Sequence, residues 1–328
     1  MFRRRSISSS RPLRALAIGA ALWFGALVPA LAADHVRVGK SLGSLWAFLP
    51  VDVGAAEHIF ARYGIELEIV DMGNGNKLQQ ALASDSLDFG LAAGTDLAFP
   101  AKGSPVRAVA AFAAEPRTVV IIVRQDSPLR SVADLKGKLL AMPGAPSVAQ
   151  WLVWQMALAQ GWSKDDVKTV AQGSVQANVA ALLTNEADAI VDPVELGFKL
   201  SDENKGRILV HLAQFAPHFH SHVIFARNSL IHDNPGLVDR FLKGFFASIA
   251  FMKANKTETS RIAEDALHES QSIADRSYDY ELTMLSDTGS FDPTAIAVLK
   301  KSFVDMGLLD REPKDDEILT EQFVPVKF

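Results

Sequence analysis

Short stretches of alternating apolar and polar residues recur along the chain, each followed by a loop and then by apolar positions three or four apart. Val36-Arg37-Val38-Gly39 alternates as a first strand, and Ile65, Leu67 and Ile69 alternate with Glu66 and Glu68 as a second. Further strands are predicted at Asp88 to Leu91, Val106 to Phe112, Val119 to Arg124, Lys138 to Met142, Val167 to Val170, Asp188 to Val191 and Ile208 to Leu212. Between them lie helical patterns. Val53, Ala56, Phe60 and Tyr63 share one face, and Gly64 is placed to end that helix. Pro146 suits the first turn of a helix running to Gln160, with Gly161 as its stop. Ser174 is placed to cap a helix carrying Val175, Val179 and Leu182. Beyond about Ala226 the strand patterns cease. Asn234-Pro235 and Asp292-Pro293 each read as a cap and a first-turn proline opening a helix.

Repeated strand–loop–helix units predict an α/β fold with parallel-rich sheets flanked by helices and a helical C-terminal part. The chain of 328 residues is long for one such sheet, so two lobes are expected. The segments near 106–124 and 208–226 are placed to cross between them. In such a fold ligands gather at the carboxyl ends of strands, facing helix N-termini.

Composition narrows the function. The chain is 48% hydrophobic and 22% charged, an ordinary globular balance. It has no cysteine, which excludes a disulfide framework, a thiolate zinc site and a cysteine nucleophile. A net charge of −5 gives no nucleic-acid footprint. The start differs from the rest: Arg3, Arg4, Arg5, Arg11 and Arg14 precede an apolar run from Ala15 to Leu31, which closes on Ala30-Leu31-Ala32. That is the three-part pattern of a cleavable export signal over 1–32, and it predicts a periplasmic protein.

With these elements in order, the chain resembles the nitrate/sulfonate/taurine-binding branch of periplasmic solute-binding proteins, which also includes binders of thiamine-precursor pyrimidines. The resemblance rests on Phe60-Ala61-Arg62-Tyr63-Gly64-Ile65-Glu66-Leu67, on Leu87-Asp88-Phe89-Gly90 after Ala81-Leu82-Ala83-Ser84, and on Ser131-Val132-Ala133-Asp134-Leu135-Lys136-Gly137-Lys138. Ala180-Ala181-Leu182-Leu183 with Ala187-Asp188-Ala189, and Asn234-Pro235, complete it. It implies a two-lobe periplasmic-binding-protein fold of type II with two crossovers. Lobe 1 would comprise 33–115 plus 222–328, and lobe 2 would comprise 116–221. It implies a monomer without a cofactor that hands a small ligand to an inner-membrane ABC permease and its ATPase.

Candidate contacts follow from loop positions and from the resemblance. Ser41, Ser44 and Trp46 lie in the first strand–helix loop, where hydroxyls bond polar groups and an indole stacks or simply packs. In Gly73-Asn74-Gly75-Asn76, Asn74 faces a ligand or caps a helix. Gly94-Thr95 follows the third strand, where the family places a hydroxyl against its ligand. Glu115 and Arg117 flank Pro116 at the first crossing; they reach the cleft or pair with each other. Gly144 and Ser147 open the helix that is the family's usual second-lobe anchor, and Ser174 opens the next. Asp192, three residues before Glu195, is an acidic contact by resemblance or a helix cap. His218, His220 and His222 alternate; if extended, they share a side and suit zinc, nickel or copper. The plainer reading is a loop with incidental histidines.

These observations favour a transport binder for a small organic solute, most simply an aliphatic sulfonate or taurine. Only Lys40 and Arg117 are firm cations near the candidate loops, which disfavours an inorganic anion such as nitrate. The alternatives are a pyrimidine binder or enzyme on the same fold, a sensory ligand domain, and a metal binder through the three histidines. The sequence holds no His-Glu-x-x-His helix.

Overall fold

The computed structural model describes residues 33–328, so the expected export signal lies outside the described residues. From Asp34 the elements run β1 (Asp34–Lys40), α1 (Leu49–Ala56), β2 (Ile65–Asp71), α2 (Gly75–Ala83), β3 (Phe89–Ala93), α3 (Ala98–Ala101) and β4 (Val106–Ala113). A second set follows: β5 (Val119–Arg124), β6 (Leu139–Met142), α4 (Val148–Ala159), β7 (Lys168–Ala171), α5 (Val175–Leu183), β8 (Ala189–Pro193), α6 (Val194–Asp202) and β9 (Gly206–His211). The chain then returns through β10 (His222–Arg227) to α7 (Asn228–Asp233), α8 (Pro235–Ala254), α9 (Lys256–Leu267), α10 (Gln271–Glu281), α11 (Pro293–Asp305) and α12 (Asp315–Ile318).

Two five-stranded sheets result, ordered β2-β1-β3-β10-β4 and β7-β6-β8-β5-β9. Within each, the strand that arrives from the other sheet is the antiparallel one. β10 runs against β3 and β4, and β5 runs against β8 and β9. A chain that leaves one sheet at its carboxyl edge and enters the next at the facing edge must run backwards there. The remaining strands are parallel, so the carboxyl ends of β1 and β3 in one sheet, and of β6 and β8 in the other, carry the loops between the sheets.

Three apolar layers hold this together. One includes Leu78 and Phe225 on the first sheet and Ile121 and Leu140 on the second, with Trp151 stacked on Phe219 at 5.1 Å between ring centroids. A second covers the other face of the first sheet with α1, α8 and α9; there Phe89 of β3 stacks on Phe241 of α8 at 3.8 Å. A third packs Val120, Ile190 and Phe198 on the outer face of the second sheet. Helix α10 joins two of these layers: Ile273 belongs to the third and Tyr278 to the second. Arg276 of α10 lies over the Phe198 ring at 4.2 Å and pairs with Asp202 at 2.7 Å.

The local signals hold at most helix starts. Asn74, Ser174, Asn234 and Asp292 each accept a backbone N–H as caps, and Gly307 follows α11 at φ 67°. Two expectations are corrected. The helix predicted to Tyr63 ends at Ala56, because His58 takes φ 52° and only a 3₁₀ turn, Phe60–Tyr63, follows before Gly64. Pro146 stands outside its helix; Ser147 adopts extended backbone and caps α4 in its place.

Candidate functional site

A cleft of about 950 Å³ opens between the two sheets. Ser41 and Ser44, after β1, line it from one side, with Gly73, Asn74 and Gly75 at the start of α2. Gly173 and Ser174 at the start of α5, and Glu195 and Lys199 of α6, line the other. His268 and Glu269, between α9 and α10, complete the wall.

Both helix starts are built the same way. The Asn74 Oδ1 accepts the Lys77 N–H at 2.9 Å, and the Ser174 Oγ accepts the Ala177 N–H at 3.1 Å. Each cap satisfies one first-turn donor, and the other donors of that turn have no intrahelical acceptor. Two N-terminal dipoles therefore point into the cleft from opposite sheets, favouring negative charge or acceptor oxygens. Gly73, at φ 75°, supplies the backbone turn that brings α2 to the cleft.

Glu195 and Glu269 of the lining belong to a group of acidic residues in and behind this wall. The Glu195 Oε1 accepts the Trp46 backbone N–H at 3.2 Å, and its Oε2 is buried without a donor. The fully buried Glu281, from the end of α10, lies within hydrogen-bonding reach of Glu195. Two ionised carboxylates offer no proton, so neither satisfies the other unless one is protonated. Burial drives both carboxyls up in pKa, and the Glu195 charge adds to this at Glu281. Glu269 is pushed up to about 8, first by burial and then by the charge of Glu195. At the end of β8, Asp192 is pushed up to about 7 by burial, which outweighs its 2.9 Å hydrogen bond from the Asn178 Nδ2.

Of the sequence candidates, the cleft brings together Ser41, Ser44, Asn74 and Ser174. Trp46 is wholly buried, edge-on to Tyr278, and touches the site through its backbone N–H. Gly94, Thr95, Glu115, Gly144, Ser147 and Asp192 are not among the lining residues. Gly94 has a different reason to be glycine: a Cβ there would meet the His220 carbonyl oxygen at 2.0 Å. Thr95 sits in the 3₁₀ turn Gly94–Leu97. Ser147 is a helix cap, and Gly144 lies in the loop before it. Glu115 pairs with Arg117 at 2.9 Å, and Lys40 is engaged by both oxygens of Asp52 at 3.1 and 3.0 Å. Both expected cations are thus already neutralised. Asp192 caps nothing, since α6 starts from Pro193.

The alternating histidines do not share a side. His218 is exposed, His220 accepts the Asp292 N–H at 2.8 Å, and His222 is buried against Phe48 and Phe112. Burial takes His220 down to about 4 and His222 down to about 3. Among the described residues, no group of three or more His, Cys, Asp or Glu is placed to hold a metal ion.

Glu269 and Glu281 were not anticipated. A signal exists for Glu281: Ala274, Ser277, Tyr278 and Glu281 recur at helical spacing on the buried stripe of α10, and a carboxyl on such a stripe is anomalous.

Residues 47–259 match the family described as NMT1/THI5 like. This chain belongs to that family. It is 24% identical over 299 residues to the riboflavin-binding protein RibY of Chloroflexus aurantiacus, covering 85% of this chain and 82% of that protein. Among solved structures it resembles the periplasmic aliphatic sulphonate binding protein SsuA of Escherichia coli, with a TM-score of 0.74 and 17% identity. That match covers 88% of this chain and 92% of SsuA. The desulfurization enzyme DSZB in complex with biphenyl-2-sulfinic acid superposes with a TM-score of 0.66 and 16% identity, over 88% and 97% of the two chains. The fold of this NMT1/THI5-like chain is therefore the periplasmic-binding-protein fold.

Proposed function

We propose that this protein is the solute-binding component of an ABC importer. It captures a small organic solute between its two sheets in the periplasm and delivers it to an inner-membrane permease. The observation that carries this is the cleft itself, into which capped helix starts from both sheets, at Asn74 and Ser174, present free N–H donors. Ligand held from both sides draws the two lobes together, and that closed form is what a permease can recognise. We read lobe 1 as 33–115 plus 222–328 and lobe 2 as 116–221.

Binding without catalysis fits the residues. The chain has no cysteine, and among the described residues no cleft serine is hydrogen-bonded to a histidine. The likeness to SsuA supports a sulfonate class, whose oxygens match the two helix starts; taurine would also offer an amine to the glutamates. The relationship to RibY and the roomy cleft favour a second reading, a flavin or pyrimidine ring. Thermal unfolding of the purified protein against taurine, alkanesulfonates, aminopyrimidines and riboflavin separates them. A ligand at about a hundred times its Kd adds about 2.7 kcal/mol. A shift with riboflavin alone rejects the sulfonate reading, and no shift with any solute rejects the transport reading.

A further inference from the structure

Among the described residues, the carboxyls at the acidic side of the cleft form no salt bridge. Glu195 is 6% exposed and Glu281 0% exposed, and between them three carboxyl oxygens are buried without a donor. Glu269 lines the same cleft with its Oε2 buried and unpartnered. Lys199 lines the cleft but is exposed, and among the described residues no lysine or arginine forms a salt bridge with Glu195, Glu269 or Glu281. Buried carboxyls are normally paired, hydrogen-bonded or bound to metal, so these acceptors call for donors from outside the chain.

The arrangement also says what kind of donor. Glu195, Glu269 and Glu281 are not placed to share one metal ion. Their oxygens suit a group whose N–H donors are spread over several directions. Glu195 and Glu269 line the same cleft as the helix starts at Asn74 and Ser174, which favour the opposite charge, and Glu281 lies buried beside Glu195. We infer that Glu195 and Glu269, with Glu281 buried beside Glu195, form a subsite for a protonated nitrogen of the ligand, an ammonium or a cationic amino-substituted ring. The inference rests on reading the cleft as a solute site and adds the selection rule: solutes lacking such a nitrogen are rejected, because they would leave the carboxyls unpaired.

Calorimetry with matched pairs tests it. Taurine is compared with isethionate, which has a hydroxyl where taurine has an ammonium, and protonated 4-aminopyrimidines are compared with their 4-hydroxy counterparts. The cationic member of a pair should bind at least about tenfold tighter. E281Q and E195Q should lose about that factor for the cationic member and change the neutral one less than about twofold. E269Q, at the cleft surface, gives the same test without touching the buried pair, and thermal unfolding checks that each variant is folded. Equal binding of a neutral member, insensitive to all three variants, overturns the subsite and leaves solute binding standing. Binding of no pair at millimolar concentration overturns both.

Discussion

Glu281 of α10 presents its carboxyl to Glu195 of α6, and Glu195 in turn holds the backbone N–H of Trp46 beside the first sheet. Residues from three separate parts of the chain thus meet at one buried point. Most of what can be tested about this protein follows from that contact or from the caps around it.

The first prediction concerns pH. Burial raises Glu195 and Glu281, and takes Glu269 from an ordinary 4.5 to about 8. The folded protein therefore keeps protons that the unfolded chain has released. The stability Glu269 contributes is complete below about pH 4.5 and is lost as the pH rises through about 8, and the raised Glu195 and Glu281 act in the same direction. The unfolding temperature of the ligand-free protein should fall between about pH 5 and pH 8, and E281Q should flatten that fall. A profile unchanged by E281Q rejects the assignment.

Ser147 and Ser174 make a matched pair. Both cap helices, accepting the N–H of Gln150 and Ala177, but only Ser174 lines the cleft. Substituting either by alanine should cost about 1 kcal/mol of stability in denaturant unfolding. Only Ser174→Ala should also weaken solute binding, by about 1–3 kcal/mol. Equal binding losses would move the site toward α4.

Gly94→Ala tests the close approach beside the second crossing. Its Cβ would need the space of the His220 carbonyl oxygen, 2.0 Å away, and backbone yields less readily than a side chain. A loss of about 1–3 kcal/mol is expected in denaturant unfolding.

Phe241→Ala removes one ring of the 3.8 Å stack with Phe89, at a site where both are fully buried. About 3–5 kcal/mol should be lost in the same measurement.

The sheets were legible in the sequence because the period of two in β1 and β2, and the Val/Ile run of β5, is local information. So were the caps, since Asn74, Ser174, Asn234 and Asp292 act on N–H groups two or three residues away. Half of the cleft was legible for the same reason: Ser41, Ser44, Asn74 and Ser174 sit where strand ends meet helix starts. Of the acidic half only Glu195 was, from its place after β8; Glu269, in the loop before α10, and Glu281, at the end of α10, reach it only through tertiary packing. The break at His58 was hidden because Phe60 and Tyr63 keep helical spacing while the backbone between them does not.

Helix α10 has a thermodynamic consequence. Ile273 is seated in the outer layer of the second sheet and Tyr278 in that of the first. Widening the cleft must bring apolar surface at one end of α10 into water, together with the Phe198 ring now covered by Arg276. Opening therefore carries a positive heat-capacity change. Solute capture, its reverse, should show a negative one larger than the apolar area of a small ligand supplies.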